Sequence, residues 1–229
     1  IHRGVVYEYS KQLPAELIGV IREDTDARKL WMGAFDYKIS LYDPATGMFL
    51  NYHHDEKNPR SFLPWSLRTI CVTKSGQVFF GATGTGLCQL SDDRKSFRYF
   101  PYNTTGGNGT TDEAINILYE DREGILWIGT LSGGLNRFDP LKQEFTHYLS
   151  DPANPAALSN EVVKCILEPA VHPGNTLWIA THGGLNRLDR STGKFTRITM
   201  KDGLPSNTIH GILEDEKGRI WASTNKGLV

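Results

Sequence analysis

Short apolar runs, many alternating with polar positions, recur along the whole chain, and Gly, Pro, Asn or Asp breaks them about every eight to twelve residues. No window sustains an i, i+3, i+4 stripe, so the pattern predicts strands throughout and no helices. One stretch shows the grammar. Ala114 to Glu120 alternates and is rich in Ile and Leu, which predicts a strand, and Asp121-Arg122-Glu123-Gly124 supplies a hairpin with Gly where φ turns positive. Ile125 to Thr130 is apolar on both faces, as expected of a sheet packed between two others. Gly133-Gly134 then turns the chain into Leu135 to Asp139, Pro140 ends that strand, and Phe145 to Tyr148 alternates as a half-exposed outer strand.

This unit repeats. Trp127-Ile128-Gly129-Thr130 with Gly133 to Asp139 returns as Trp178-Ile179-Ala180-Thr181 with Gly183 to Asp189. A third copy, Trp221-Ala222-Ser223-Thr224 with Lys226-Gly227-Leu228, is cut short. Two weaker copies come earlier, at Trp31-Met32-Gly33-Ala34 and at Phe79-Phe80-Gly81-Ala82 with Gly86-Leu87. The anchors Trp31, Phe79, Trp127, Trp178 and Trp221 stand 48, 48, 51 and 43 residues apart, and Phe49, Phe97, Phe145 and Phe195 keep nearly the same step. Four short strands in each period of about 45 residues predict an all-β fold, a β-propeller of four-stranded antiparallel blades. An all-β solenoid is the structural alternative, although its coils are usually shorter.

The repeats run approximately 11–54, 60–102, 111–150, 157–200 and 203–229, the last incomplete. Leu13-Pro14 through Ile21, Glu23 and Asp24 matches Leu204-Pro205 through Ile212, Glu214 and Asp215 without a gap, so residues 4–10 are read as the outer strand of a preceding or ring-closing blade. Either the two ends close a ring of five, or both are cuts in a larger ring. The cut is the preferred reading, which makes the chain a segment of a longer propeller. Such a segment would expose the apolar flanks of its end blades and invite homodimerisation.

Charge removes some functions. Lys and Arg total 25 against 26 Asp and Glu, so no basic field is available to hold nucleic acid. No apolar run approaches the roughly 20 residues of a membrane span, and no direct membrane insertion is expected of this segment. Cys71, Cys88 and Cys165 lie in apolar strand runs without framework spacing and read as small buried hydrophobes.

The pattern G-L-P-S-N-x-I-x-x-I-x-E-D-x-x-G-x-[IL]-W, carried by Gly203 to Trp221, and W-I-G-T-x-x-G-G-L-N-R-[FL]-D, carried by Trp127 to Asp139, resembles the two-component regulator propeller repeat. The resemblance covers almost the whole chain. The first copy departs from it, with Tyr37-Lys38 in place of Gly-Gly. The second has Phe79 for Trp and Ser91 for Asp, and the fourth carries an enlarged hairpin from Pro169 to Asn175. The resemblance implies the periplasmic sensor region of a hybrid two-component system of the Bacteroidetes type, many of which respond to glycan fragments. It also implies an inner-membrane parent chain that carries a histidine kinase, a DNA-binding regulator and the remaining propeller blades.

Three long loops, Asn51 to Ser66, Pro101 to Asp112 and Ser150 to Asn160, share a blade end with the turns between second and third strands. Aligned inner strands give one polar column on that side, Gly19, Arg68, Asn116, Lys164 and His210, which reads as channel-lining. Arg68, Asn116, Lys164 and His210 are therefore ligand-binding candidates for an anionic or hydroxyl-rich small molecule or oligosaccharide. The short turns offer Asp36, Tyr37, Thr83, Ser132, His182 and Asn225, of which Tyr37, His182 and Asn225 join the candidate list. Tyr37 and His182, like Trp65 in the first long loop, have the flat faces that stack on sugar rings.

Other motifs weaken on inspection. His53-His54-Asp55-Glu56 are adjacent ligands in one loop with nothing spaced to complete a coordination shell, so no metal is expected. Gly133-Gly134 precedes no Lys-Ser/Thr and no helix, so no phosphate loop and no cofactor are expected. Glu120-Asp121 and Glu214-Asp215 recur at the hairpins, which points to backbone N–H acceptance and not to acid–base catalysis. No catalytic residues are assigned and the segment is read as non-catalytic. Two other readings stay open: a secreted lyase or hydrolase of the streptogramin-lyase kind, to which the repeat is similar, and a protein-interaction propeller.

Overall fold

The computed structural model describes residues 7–10, 18–25, 28–34, 38–63, 66–102, 107–171 and 173–229. Twenty strands and one short 3₁₀ turn, Met200–Asp202, account for the regular structure among these residues. None of the described helices is long and apolar enough to cross a membrane. The strands form five sheets, the blades of an all-β propeller fold. The chain clusters into two compact units, residues 1–102 with 113–118, and residues 103–112 with 119–229.

In the first unit, β2 (Ile18–Glu23), β3 (Leu30–Ala34), β4 (Ile39–Asp43) and β5 (Met48–Tyr52) pair in chain order, and β1 (Tyr7–Ser10) joins outside β5. Tyr7 faces Tyr52 and Ser10 faces Phe49. This corrects the assignment of residues 4–10 to another blade: the described part of that stretch is a fifth strand on the first sheet. The physical reason is the outer edge of β5, whose free N–H and C=O groups template any adjacent β-prone segment such as Tyr-Glu-Tyr-Ser. The second sheet is β6 (Leu67–Val72), β7 (Val78–Ala82), β8 (Leu87–Leu90) and β9 (Phe97–Tyr99).

The third sheet runs β10 (Ile115–Glu120), β11 (Leu126–Thr130), β12 (Leu135–Asp139), β13 (Glu144–Tyr148). The second unit holds the sheet of β14 (Val163–Leu167), β15 (Thr176–Thr181), β16 (Gly184–Asp189) and β17 (Lys194–Ile198), and a three-stranded one of β18 (Ile209–Glu214), β19 (Ile220–Thr224) and β20 (Gly227–Leu228). All five residues of β11 are buried, as its two apolar faces require.

Local chemistry explains the hairpins. Asp121 Oδ1 accepts the N–H groups of Glu123 and Ile125, each at 3.0 Å, while its Oδ2 accepts the Trp127 indole N–H at 2.8 Å. Asp215 repeats this with Lys217, Arg219 and Trp221, and Asp24 accepts the Trp31 indole at 3.1 Å. The recurrent hairpin acid thus closes its own turn and anchors the blade's tryptophan. In the second blade Thr73 Oγ1 takes over, accepting Gln77 N–H at 2.9 Å, and the anchor beside it is Phe79, which has no N–H to offer.

The turn from Thr to Gly-Gly, with two residues between after Thr130 and one after Thr181, is equally local. Thr130 and Thr181 each donate a hydroxyl to the carbonyl of the second glycine, at 3.0 and 2.8 Å, and accept the N–H of the first. Gly134 has φ +74°, and a Cβ there would lie 2.5 Å from the Tyr148 carbonyl oxygen. No other residue fits that turn without displacing the outer strand.

Blade stacking repeats inside each unit. Trp31 stacks on Tyr52 at 5.8 Å and Trp127 on Tyr148 at 5.9 Å, and these tyrosines meet Phe97 and Phe195 of the following blade edge-on at 5.4 and 5.7 Å. An arginine of the following blade completes each contact. Arg94 Nη1 lies 2.5 Å from Asp24, and Arg190 Nη1 lies 2.9 Å from Asp121.

Candidate functional site

The inner strand of a blade pairs with the second strand except at one residue. The ladder slips between Ile18 and Val20, between Leu67 and Thr69, between Val163 and Cys165, and between Ile209 and Gly211. Gly19, Arg68, Lys164 and His210 are thus each the extra residue of a β-bulge, a device that re-aims a side chain out of the ladder. These are four of the five positions in the polar column predicted from the aligned inner strands. The fifth, Asn116, is a half-buried residue of β10.

The turns meet the bulges. In the first unit Arg68 Nε donates to Thr83 Oγ1 at 2.9 Å, and in the second His210 Nε2 lies 2.5 Å from Asn225 Oδ1. Each contact spans 15 residues and joins the inner-strand bulge to the turn between second and third strands of the same blade. In the fourth blade the turn residue is His182. Its backbone N–H donates to Val162 at 3.3 Å, which sets the turn beside the bulge at Lys164. Burial, together with the positive charges of Lys164 and His210, pushes the His182 imidazole below its ordinary pKa. Lys164, His182, His210 and Asn225 therefore gather at one end of the second unit.

Other candidates are placed elsewhere or fall outside the described residues, as do Tyr37 and Trp65, with Asp36. Ser132 donates both its N–H and its hydroxyl to Asp112 Oδ2, at 2.7 and 2.8 Å, and so ties down the second long loop. The His53–Glu56 stretch is irregular and leads into a turn at Glu56: His54 Nδ1 lies 3.0 Å from the Phe62 carbonyl and Asp55 Oδ1 accepts Lys57 N–H. Among the described residues no three His, Cys, Asp or Glu side chains stand together as a metal site. A surface cavity of about 100 Å³, lined by Lys29, Leu41, Asp43, Thr46, Met48 and Leu50, lies at the outer strands of the first blade.

Several residues that order the site were not singled out from sequence. Asn136 Oδ1 accepts Thr111 N–H at 3.0 Å and His147 Nδ1 at 2.8 Å, and Asn186 Oδ1 accepts Ser159 N–H at 2.9 Å. Arg197 donates to the carbonyls of Asp151, Asn154, Ala157 and Leu158. Long loops of the second unit are thus pinned from beneath by the blades. The recurring Asn of Gly-Gly-Leu-Asn was the available signal, though only its recurrence was legible.

Two stretches, 109–132 and 203–226, match the family model described as "Two component regulator propeller". Histidine kinase P4 of Formosa agariphila is 23% identical over 205 residues, covering 87% of this chain and 14% of its own length. The extracellular domain of a hybrid two component system from B. thetaiotaomicron superposes with TM-score 0.75 at 20% identity, over 97% of this chain and 30% of that one. A virginiamycin B lyase from Staphylococcus aureus, solved as a catalytically inactive histidine-to-alanine variant with quinupristin, gives TM-score 0.67 at 14% identity, over 95% of this chain and 71% of that one. The chain therefore spans a small part of the curated relative and under a third of the first of these structures.

Proposed function

We propose that this chain, a propeller of two-component regulator repeats, is a ligand-sensing segment of the periplasmic ectodomain of a hybrid two-component histidine kinase. One observation carries the reading: two bulges and two turns bring Lys164, His182, His210 and Asn225 to one end of the second unit. His210 is exposed and Lys164 half-buried at these bulges, so both side chains are within reach of a ligand from solvent. A small molecule or oligosaccharide bound there would bridge the fourth and fifth blades. Its binding energy would favour one placement of rigid blades over another, and that population shift is the signal passed to the kinase.

The hydrogen bonding supports binding over catalysis. His210 is engaged with the Asn225 amide, where a general base would be oriented by a carboxylate. The hairpin acids are committed to backbone and indole N–H groups.

The test is a thermal-shift screen of the full-length protein against neutral and acidic oligosaccharides, repeated with Lys164→Ala and His210→Ala. Stabilisation by a ligand that both variants abolish is the expected result. A shift that survives in both variants moves the site elsewhere, and a screen without any shift removes the carbohydrate reading. Turnover of a hit, followed by product analysis, would favour the lyase reading instead.

A further inference from the structure

We propose that the site at the end of the second unit selects an oxyanion, a carboxylate, phosphate or sulfate on a hydroxyl-rich small molecule, with Lys164 as its cationic contact and His182, His210 and Asn225 as hydrogen-bond donors. The proposal rests on the preceding reading that this end binds the ligand.

The backbone brings these groups together. Lys164 is the bulged residue of β14 and His210 that of β18. The two strands lie side by side, with Cys165 Sγ 3.9 Å from the carbonyl oxygen of Ile212, so the two bulges are neighbours. His182 opens the turn after β15, which is fixed by two backbone hydrogen bonds, His182 to Val162 and Gly183 to the Thr181 hydroxyl. Both Lys164 and His210 act electrostatically on His182.

The donor set then specifies the ligand. A lysine ammonium only donates hydrogen bonds, and an imidazole offers an N–H donor in either protonation state. The oxygen of the Asn225 amide already faces His210, which leaves its NH₂ group to donate. Lys164, the Asn225 NH₂ group and an imidazole N–H of His182 thus stand together as donors around a positive charge, and such a set is completed by an acceptor-rich anion.

Charge accounting agrees. Arg122 and Arg190 each stand 2.8 Å from Glu168, Arg219 stands 2.7 Å from Asp215, and Arg197 is spent on loop carbonyls. Among the described residues no carboxylate is paired with Lys164, His182 or His210. Those arginines are taken up by carboxylates or carbonyls of the fold, and Lys164 is left without a carboxylate partner among the described residues.

The test is calorimetric titration of the full-length protein with glucuronate, glucose 6-phosphate, glucose 6-sulfate and neutral glucose, which share one ring. At low ionic strength at least one of the three acids is expected to bind about tenfold or more tighter than glucose, and raising the salt should erode that advantage, since an exposed charged site is screened. Lys164→Met and His182→Gln should each remove most of the preference while leaving the melting temperature of the free protein unchanged. The order among the acids identifies the oxyanion. Glucose binding as well as the acids, with affinity still lost in Lys164→Met, overturns the oxyanion selection and leaves the site standing. Acid binding that both variants retain overturns the site itself. Absence of binding by all three acids overturns the proposal.

Discussion

Arg190 places Nη1 2.9 Å from Asp121 Oδ2 across 69 residues of sequence, and both side chains are buried. The pair joins one blade's outer turn to the preceding blade's hairpin, where Asp121 also holds the Trp127 indole. Removing one partner leaves a buried charge uncompensated, so Arg190→Met is expected to destabilise the chain by about 3–5 kcal/mol. Asp121→Asn should cost a similar amount, with the double variant much less than additive. Urea unfolding of the four proteins in the cycle measures this. Additive losses would mean that the two residues act independently.

The tryptophans at equivalent positions should not be equivalent. Trp127 is 1% exposed and stacked on Tyr148, whereas Trp221 is 37% exposed, beneath the guanidinium of its own blade's Arg219 at 5.3 Å. Trp127→Ala is expected to cost about 3–5 kcal/mol, the range for a large buried aromatic, and Trp221→Ala less than half of that. Chemical denaturation of the two variants compares them directly.

Two glycines with similar backbone angles separate conformation from crowding. Gly124 has φ +80° and open space where a Cβ would stand, while Gly134 has φ +74° and the Tyr148 carbonyl 2.5 Å from that point. Gly124→Ala should therefore cost about 1–2 kcal/mol, the left-handed backbone penalty alone. Gly134→Ala must add displacement of β13, so a larger loss is expected in the same thermal melt.

Two titrations probe the second unit. His182 is held below the ordinary histidine value by burial and by the charges of Lys164 and His210, so the folded chain takes up that proton less readily than the unfolded one. Its contribution to stability is thus present above about pH 6.5 and lost as the pH falls through that region. Lys164→Met should raise the His182 midpoint in an NMR titration. Asp215 is held well below the usual carboxylate range, first by the Trp221 indole N–H and then by the Arg219 backbone N–H. Its contribution persists above the unfolded carboxylate value and disappears only as pH falls through the lower folded one. Trp221→Phe should move the Asp215 midpoint upward.

Local chemistry was open to reading in the sequence because its causes lie within a few residues. Alternation set the strands, Asp-x-x-Gly and the Thr before Gly-Gly set the turns, and the period set the strand order within each sheet, with Tyr7–Ser10 added to the first. The column of Gly19, Arg68, Lys164 and His210 also came from alignment alone, because a bulge at a fixed place in these four blades leaves a fixed place for an odd residue. What depended on tertiary structure is the pairing between distant segments. Arg190 with Asp121, Asn186 with Ser159 and His182 with Lys164 and His210 have no shared local signature, because their partners are chosen by which strands stack and where the bulges point. The lodging of Tyr7–Ser10 beside β5 has the same cause, since an open sheet edge accepts a strand on backbone hydrogen bonds alone and leaves no mark in the side-chain pattern.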